Sequence, residues 1–195
     1  MNDRLSRRIQ RQDSYDEELG MNRKIIETER LLLRRWEESD AEDLFRYASD
    51  PDVGPIAGWP VHQNIDESRE VIRNVFSGKE AYAICLKEDG KAIGAIELKL
   101  YGSRGNDLAT AEDECEIGYW VGKPFWGHGI MPEAVNAMLR RAFKELGMQK
   151  VWAGYYDGNT KSMRVQEKCG FKSAQKSRFY LNIVLLLLRN MPSKL

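Results

Sequence analysis

The chain is poor in the residues that build metal centres and disulfide frameworks. Among 195 residues it has two histidines, His62 and His128, and three cysteines, Cys85, Cys115 and Cys169. Three widely spaced cysteines make neither a disulfide set nor a zinc knuckle, which points to a reducing, cytoplasmic setting. Two histidines leave a zinc site short of ligands, so no metal is expected. Net charge is also lacking: 30 basic residues balance 30 acidic ones. A dedicated nucleic-acid binder carries a basic excess, so no nucleic acid is expected as a partner. The longest apolar run, residues 183–188, is far short of the ~20 residues that span a bilayer, so no membrane is expected either. The first twenty residues have no apolar stretch of the kind a secretory signal needs. They mix arginine with acidic residues and hold few large apolar ones. Residues 1–22 are therefore read as a flexible extension, and 23–195 as one domain.

What is present is a strand, a glycine-bearing loop and a helix start within residues 116–146. Glu116-Ile117-Gly118-Tyr119-Trp120-Val121 reads as the strand. Gly122-Lys123-Pro124-Phe125-Trp126-Gly127-His128-Gly129-Ile130-Met131 is the loop, and an amphipathic helix starts at Pro132-Glu133. Glycines at a helix start let backbone N–H groups approach an anion, and the helix N-terminus adds partial positive charge. The stretch is read as a pyrophosphate cradle. No Gly-Lys-Ser/Thr follows it, which argues against a P-loop.

The rest of the chain supplies a sheet and its covering helices. Residues 29–36 read as a first strand with Leu31 and Leu33 on one face. Ser39-Asp40-Ala41-Glu42 reads as a capping box for a helix with Leu44, Phe45 and Ala48 inward. Residues 52–62 hold two glycines, two prolines and Trp59. This loop is either a substrate wall, with Trp59 and His62 as binding residues, or a core plug. Residues 66–76 read as a helix with Val71, Ile72, Val75 and Phe76 inward, stopped by Gly78. Residues 81–86 and 91–100 read as strands joined through Lys87-Glu88-Asp89-Gly90, and 101–113 as an exposed loop. Past the cradle, Val135, Met138, Leu139, Ala142 and Leu146 keep helical spacing. Residues 150–156 read as a strand, Asn159 caps a helix over 160–168, and Phe171 starts a further strand. The fold class is α/β: one domain with a mixed, mostly antiparallel central sheet flanked by helices.

Three segments in order carry a resemblance. They are Trp126-Gly127-His128-Gly129-Ile130-Met131-Pro132-Glu133-Ala134 after Gly118-Tyr119-Trp120-Val121, then Asn159-Thr160-Lys161-Ser162-Met163-Arg164-Val165 with Glu167-Lys168-Cys169-Gly170-Phe171, and Thr28-Glu29-Arg30-Leu31-Leu32-Leu33-Arg34. Together they resemble the RimJ/RimL-like branch of the GNAT superfamily of N-acetyltransferases, over residues 26–171. The resemblance implies a GNAT-like fold and acetyl-coenzyme A (acetyl-CoA) as cosubstrate. It also implies a primary amine as acceptor, either a protein N-terminus such as that of a ribosomal protein or a small-molecule amine. It places Tyr119, Trp120 and Val121 along the pantetheine arm. It puts Trp126, Gly127, His128, Gly129, Ile130 and Met131 on the pyrophosphate, and Asn159 and Ser162 near the thiol end. Trp126 and Met131 depart from the superfamily pattern, which has Gln or Arg and Gly or Ala there. The C-terminal end also departs. Its run 183–188 belongs either to a short final hairpin or to an altered tail. Exposed, it would be an aggregation hazard, so it is expected in the sheet or in a homodimer contact.

For the chemistry, Glu116 matches the strand position of the catalytic glutamate in histone-type relatives, and burial would raise its pKa. Glu97 is the alternative base. Ser162 is placed to help the thiolate leave, and His128 to offer its backbone. A peptide α-amine, at a pKa of ~7.7–8, is partly neutral near physiological pH and needs little help from a base; a lysine, at ~10.4, needs more. Cys169 lies at a helix end that disfavours a thiolate, so direct attack in a ternary complex is expected, without an acyl-enzyme. The alternative is a non-catalytic coenzyme-binding protein with an altered C-terminal substrate wall.

Overall fold

The computed structural model describes residues 25–175 and 182–187. The expected extension over residues 1–22 and the last residue of the apolar run, Leu188, lie outside the described residues. Among the described residues eight strands form one sheet: β1 (Ile26–Glu27), β2 (Leu31–Arg34), β3 (Ala81–Leu86), β4 (Ala92–Leu100), β5 (Glu114–Val121), β6 (Lys150–Tyr155), β7 (Lys172–Gln175) and β8 (Asn182–Leu187). Their spatial order is β1-β2-β3-β4-β5-β6-β8-β7. Every neighbouring pair is antiparallel except β5 and β6, which are parallel. The helices are α1 (Ala41–Ala48), α2 (Gly54–Ala57), α3 (Ile65–Asn74), α4 (Ile130–Arg140) and α5 (Thr160–Lys168).

Alternation along the central strands sorts side chains to two faces. Ile96 and Leu98 of β4 and Ile117 and Val121 of β5 join Ile130, Ala134 and Met138 of α4 in the main core. The opposite face receives α1 and α3 through Leu44, Ala48 and Ile72, with Trp36, Trp59 and Trp120 packed against them. Burying each Leu or Ile side chain stabilises this sandwich by about 1.5–3 kcal/mol. Deep in the main core lies a charged anchor. Arg141 donates to both oxygens of Glu80, at 3.1 and 2.7 Å, and the Tyr82 hydroxyl donates to the same carboxylate at 3.1 Å.

One break in the sheet matters most. β5 and β6 pair only over Glu114↔Lys150, Cys115↔Val151 and Glu116↔Trp152. The start of that ladder is pinned by Glu114, whose carboxylate accepts from Lys150 Nζ at 2.5 Å and Trp152 Nε1 at 2.9 Å. It also accepts from the Thr110 backbone and hydroxyl. The ladder ends before Ile117 and Ala153, and one position further on Gly118 and Gly154 bring no side chains to the gap.

Several sequence expectations change. The first strand is shorter than 29–36, and β1 folds back on it. Ser39 is not the helix cap: a 3-10 turn (Glu38–Asp40) comes first, and Asp40 accepts from the Glu37 N–H at 2.9 Å. The Asp40 carboxylate is fixed there by the Arg34 guanidinium, with both bonds at 2.7 Å. The helix expected over 66–76 spans Ile65–Asn74, so Val75 and Phe76 lie past its end, and Val75 is 51% exposed. The helix after the cradle begins at Ile130, before Pro132, and closes in a π turn (Arg141–Glu145). The C-terminal run is not an altered tail over its described residues. β8 lies between β6 and β7 and pairs with both, with Ile183, Val184 and Leu186 buried.

Candidate active site

The gap between β5 and β6 opens a cleft of about 760 Å³ that reaches both faces of the sheet. On the α4 side its wall is backbone. Gly127 and Gly129 take φ of 80° and 76°, left-handed values that residues with a Cβ adopt only with strain. Residues 127–131 carry five backbone N–H groups round this turn and onto the start of α4, ahead of Pro132, which has none. The loop is braced from behind. Arg30 donates to the His128 carbonyl at 2.9 Å and through Nε to Glu133 at 2.7 Å. Glu133 also accepts from Thr28 Oγ1 at 2.5 Å and the Arg30 N–H at 2.8 Å. Burial alone would raise the Glu133 pKa, but the Thr28 and Arg30 donors hold it below the usual carboxylate range. Trp126 is locked by an Nε1 bond to the Val121 carbonyl at 2.9 Å, and Lys161 Nζ sits 4.3 Å above its ring. Lys161, Arg164 and Lys168 of α5 line the same side of the cleft. Their spacing puts them along one helical stripe.

Where the two strands diverge, the Tyr119 hydroxyl lies 3.1 Å from Ser162 Oγ. Burial pushes the Tyr119 hydroxyl well above its ordinary pKa, which keeps it protonated. Asn159 accepts from the Ser162 N–H at 3.1 Å, so it caps α5, and its amide donates to the Ile56 carbonyl at 3.1 Å. That second bond ties the cap of α5 to the turn around α2. The turn roofs the cleft on the other face. Gly54 lets the Trp59 ring lie against its backbone, and a Cβ at Gly58 would strike the Tyr156 ring. Trp59 meets Trp120 edge-on at 5.5 Å between centroids and His62 at 5.5 Å. His62 is buried, with Nδ1 2.8 Å from Ser68 Oγ, and burial lowers its pKa.

These features match the sequence family described as Acetyltransferase (GNAT) domain over residues 30–172. The chain belongs to the GNAT acetyltransferase family. This acetyltransferase is 28% identical over 158 residues to the Uncharacterized N-acetyltransferase p20 of Bacillus licheniformis, covering 78% of this chain and 85% of that protein. It superposes on a GNAT-family acetyltransferase from Bacillus anthracis with a TM-score of 0.73 at 26% identity, covering 85% of this chain and 99% of that one. Its fold also matches Mycobacterium smegmatis RimJ, solved with CoA-disulfide, at a TM-score of 0.67 and 20% identity, with 84% of each chain covered. The enzyme class and the fold class expected from sequence are those of the family, and the GNAT fold uses acetyl-CoA.

Within this acetyltransferase the singled-out residues fall into two groups. Tyr119, Val121, Trp126, Gly127, Gly129, Ile130, Met131, Asn159 and Ser162 gather on the α4 and α5 side and line the cleft. Trp59, His62, Trp120 and Glu116 line it from the other face. Only the side chain of His128 turns away: it is exposed and outside the lining, leaving its backbone in the loop. Glu116 is buried. Lys99 Nζ lies 3.2 Å from its Oε1, and the Asp107 N–H donates to Oε2 at 3.0 Å. The side chain of Glu97, two residues along β4 from Lys99, is in no hydrogen bond or ion pair among the described residues. Burial raises its pKa; Lys99 opposes the shift and Glu116 adds to it. All three cysteines are buried, and burial pushes each thiol up to about 12, so none supplies a thiolate. Thr28, Arg30 and Glu133 brace the loop, a role not expected from the sequence. Their signal was there in the Thr28-Glu29-Arg30 and Pro132-Glu133 segments, read as a strand, a helix start and carriers of the resemblance. Among the described residues no cluster of three His, Cys, Asp or Glu could hold a metal ion, and no helix is long and apolar enough to cross a membrane.

Proposed function

We propose that this protein transfers the acetyl group of acetyl-CoA to a primary amine by direct attack within a ternary complex. The observation that carries the reading is the ladder break after Glu116 with the left-handed glycine turn and the start of α4 beside it. Bound there, acetyl-CoA supplies an acetyl thioester. The N–H groups of residues 127–131 and the start of α4 hold the pyrophosphate, as backbone donors and a helix N-terminus do for any diphosphate. Lys161, Arg164 and Lys168 stand ready for the remaining phosphate charge. The backbone edge of residues 117–121, free of β6, lies along the pantetheine arm. The Tyr119–Ser162 pair presents protonated hydroxyls to the leaving sulfur, and Tyr119, kept neutral by burial, is the proton donor. Trp59, Trp120 and His62 shape the acceptor side. Burial of Cys85, Cys115 and Cys169 supports direct transfer over an acyl-enzyme. The intact β7–β8 pairing removes the reason for reading the chain as non-catalytic.

The test is a steady-state assay of thiol release from acetyl-CoA across a panel of amines, with mass spectrometry of the products. Amine-dependent thiol release with one acetyl group gained per amine is expected. Tight coenzyme A binding with no amine-dependent turnover would sink the proposal.

A further inference from the structure

Two carboxylates lie on the floor of the acceptor side, and they are not equivalent. Glu97 and Lys99 alternate along β4. The register pairs Glu97 with Gly118 and Lys99 with Glu116 on β5, so all four project to one face. Glu116 has Lys99 at 3.2 Å, which cancels its charge. Glu97 has no such partner. Gly78 packs directly against the carboxylate, since a Cβ there would come within 2.6 Å of Glu97 Oε1, and Gly118 opposite leaves room for the Lys99 stem, so neither facing glycine offers a polar side chain. The charged groups facing Glu97 are Lys99 on its own strand, Glu116 on β5, and Arg35 following β2. Arg35 is already engaged by the carbonyls of Ser77, Gly78 and Ala81. Above the carboxylate the walls are apolar and aromatic, with Ile56, Trp59, Phe76 and Trp120 among them.

We propose that Glu97 is the proton acceptor of the reaction, and that the chamber above it selects a compact monoamine with an apolar body. This rests on the acetyl-transfer reading and names its acceptor. An amine arrives as an ammonium ion. Glu97 takes one proton from it and leaves a nucleophilic nitrogen. The C–N bond forms as the C–S bond breaks, the second proton passes from nitrogen toward sulfur, and Glu97 returns its proton to water. The charge count sets selectivity. One unpaired carboxylate matches one ammonium. A second ammonium, as in a polyamine, meets Lys99 and finds no second free carboxylate. An alkylamine titrates near the lysine value of ~10.4, where a base matters most.

The test compares the full-length protein with its Glu97→Gln and Glu97→Asp variants, using phenethylamine and spermidine as probes. For phenethylamine, kcat/KM is expected to fall about 100-fold in Glu97→Gln, the range for a lost general base. The acid limb of the pH–rate profile should disappear, Glu97→Asp should recover part of the rate, and the coenzyme A Kd should not change. Spermidine should be the poorer acceptor in the unaltered protein. An undiminished Glu97→Gln rate with the same pH profile overturns the assignment, and preference for spermidine overturns the charge count. If no amine turns over, the transfer reading fails. Calorimetric binding of phenethylamine to the coenzyme A complex then decides the site: loss in Glu97→Gln upholds it, equal affinity overturns it. Thermal stability gives a separate readout. Glu97 has a raised folded-state pKa, so the folded protein binds more protons than the unfolded chain above the unfolded value of ~4.3. Stability from this site is therefore lost as pH rises. Glu97→Gln should melt about 2 °C higher at pH 8, and the gain should vanish below about pH 4.

Discussion

The two sides of the cleft are made of different material. On the α4 side the proposed recognition groups are main-chain N–H donors, set by two left-handed glycines and braced by Thr28, Arg30 and Glu133. On the other side they are side chains: Trp59 and Trp120 in edge contact, His62 behind them, and Glu97 without a partner beneath. A backbone cradle depends on φ values and tolerates almost any side chain between or beside its glycines, as Trp126, His128 and Met131 illustrate. A side-chain chamber changes with every substitution. One fold can therefore keep its donor fixed while its acceptor varies. The difference also divides the expected consequences of mutation, because each side can be broken without the other.

The largest effect is expected at the cradle. Gly127 and Gly129 need positive φ, and a residue with a Cβ held there costs about 1–3 kcal/mol of strain. A Cβ at Gly127 meets nothing within 4 Å, so Gly127→Ala tests conformation without a clash. Gly129→Val adds crowding against Arg30, whose Nη2 is 3.5 Å from that Cβ. Coenzyme A affinity should fall roughly tenfold in the first and about a hundredfold in the second. Isothermal calorimetry checks both. An unchanged affinity in Gly129→Val would mean that the backbone of this loop does not hold the donor.

The strand, glycine turn and helix start proposed as the cradle were legible because their signal is local: all lie within twenty residues of sequence. The acceptor side was not, because its geometry comes from distant pairings. Glu116 looked the better base on strand position alone. The register that sets Lys99 against Glu116, and leaves Glu97 opposite Gly118, is a cross-strand fact that no local pattern states. The roof was equally hidden. Trp59 both lines the cleft and packs against the cluster of Leu44, Ala48 and Ile72, and the bond from Asn159 to the Ile56 carbonyl holds its turn over the gap. The Ser39 cap failed for a similar reason. Asp40 is claimed by Arg34, six residues upstream, and the chain takes a 3-10 turn before α1. Most strands and helices were readable from period and breakers. The two-residue β1 was too short for either.

At the junction of the two sides, the Tyr119–Ser162 pair offers the next largest effect. Tyr119→Phe removes a buried proton donor and leaves the ring, and should lower kcat about 100-fold with little change in coenzyme A affinity. Ser162→Ala leaves Tyr119 without its 3.1 Å partner and should cost less, roughly tenfold, because the Ser162 carbonyl remains 3.3 Å from the hydroxyl. Equal losses in both variants would make the serine the donor and the tyrosine its support. On the acceptor side, Trp59→Ala should raise the amine KM roughly tenfold and leave coenzyme A affinity untouched, since one large apolar contact is lost at a wall. A change in coenzyme A affinity instead would show the two sides to be coupled through the Asn159–Ile56 bond.

The smallest effects belong to the exposed charges of α5. Lys161, Arg164 and Lys168 lie on one stripe at the mouth of the cradle, where solvent and salt screen them. Each contributes as an exposed ion pair does, about 0.2–1 kcal/mol, so single alanine variants should weaken coenzyme A binding only about two- to fivefold. Salt separates them from the cradle. Their effect should shrink as ionic strength rises, while the Gly129→Val loss should persist, because backbone donors in a fixed loop act at contact range. Dephospho-coenzyme A sharpens the assignment. If these side chains meet the 3′-phosphate, the variants should bind dephospho-coenzyme A as well as the unaltered protein does, and lose affinity only for the phosphorylated form. Equal losses for both forms would move the three cations onto the pyrophosphate, and the cradle would then be only partly backbone.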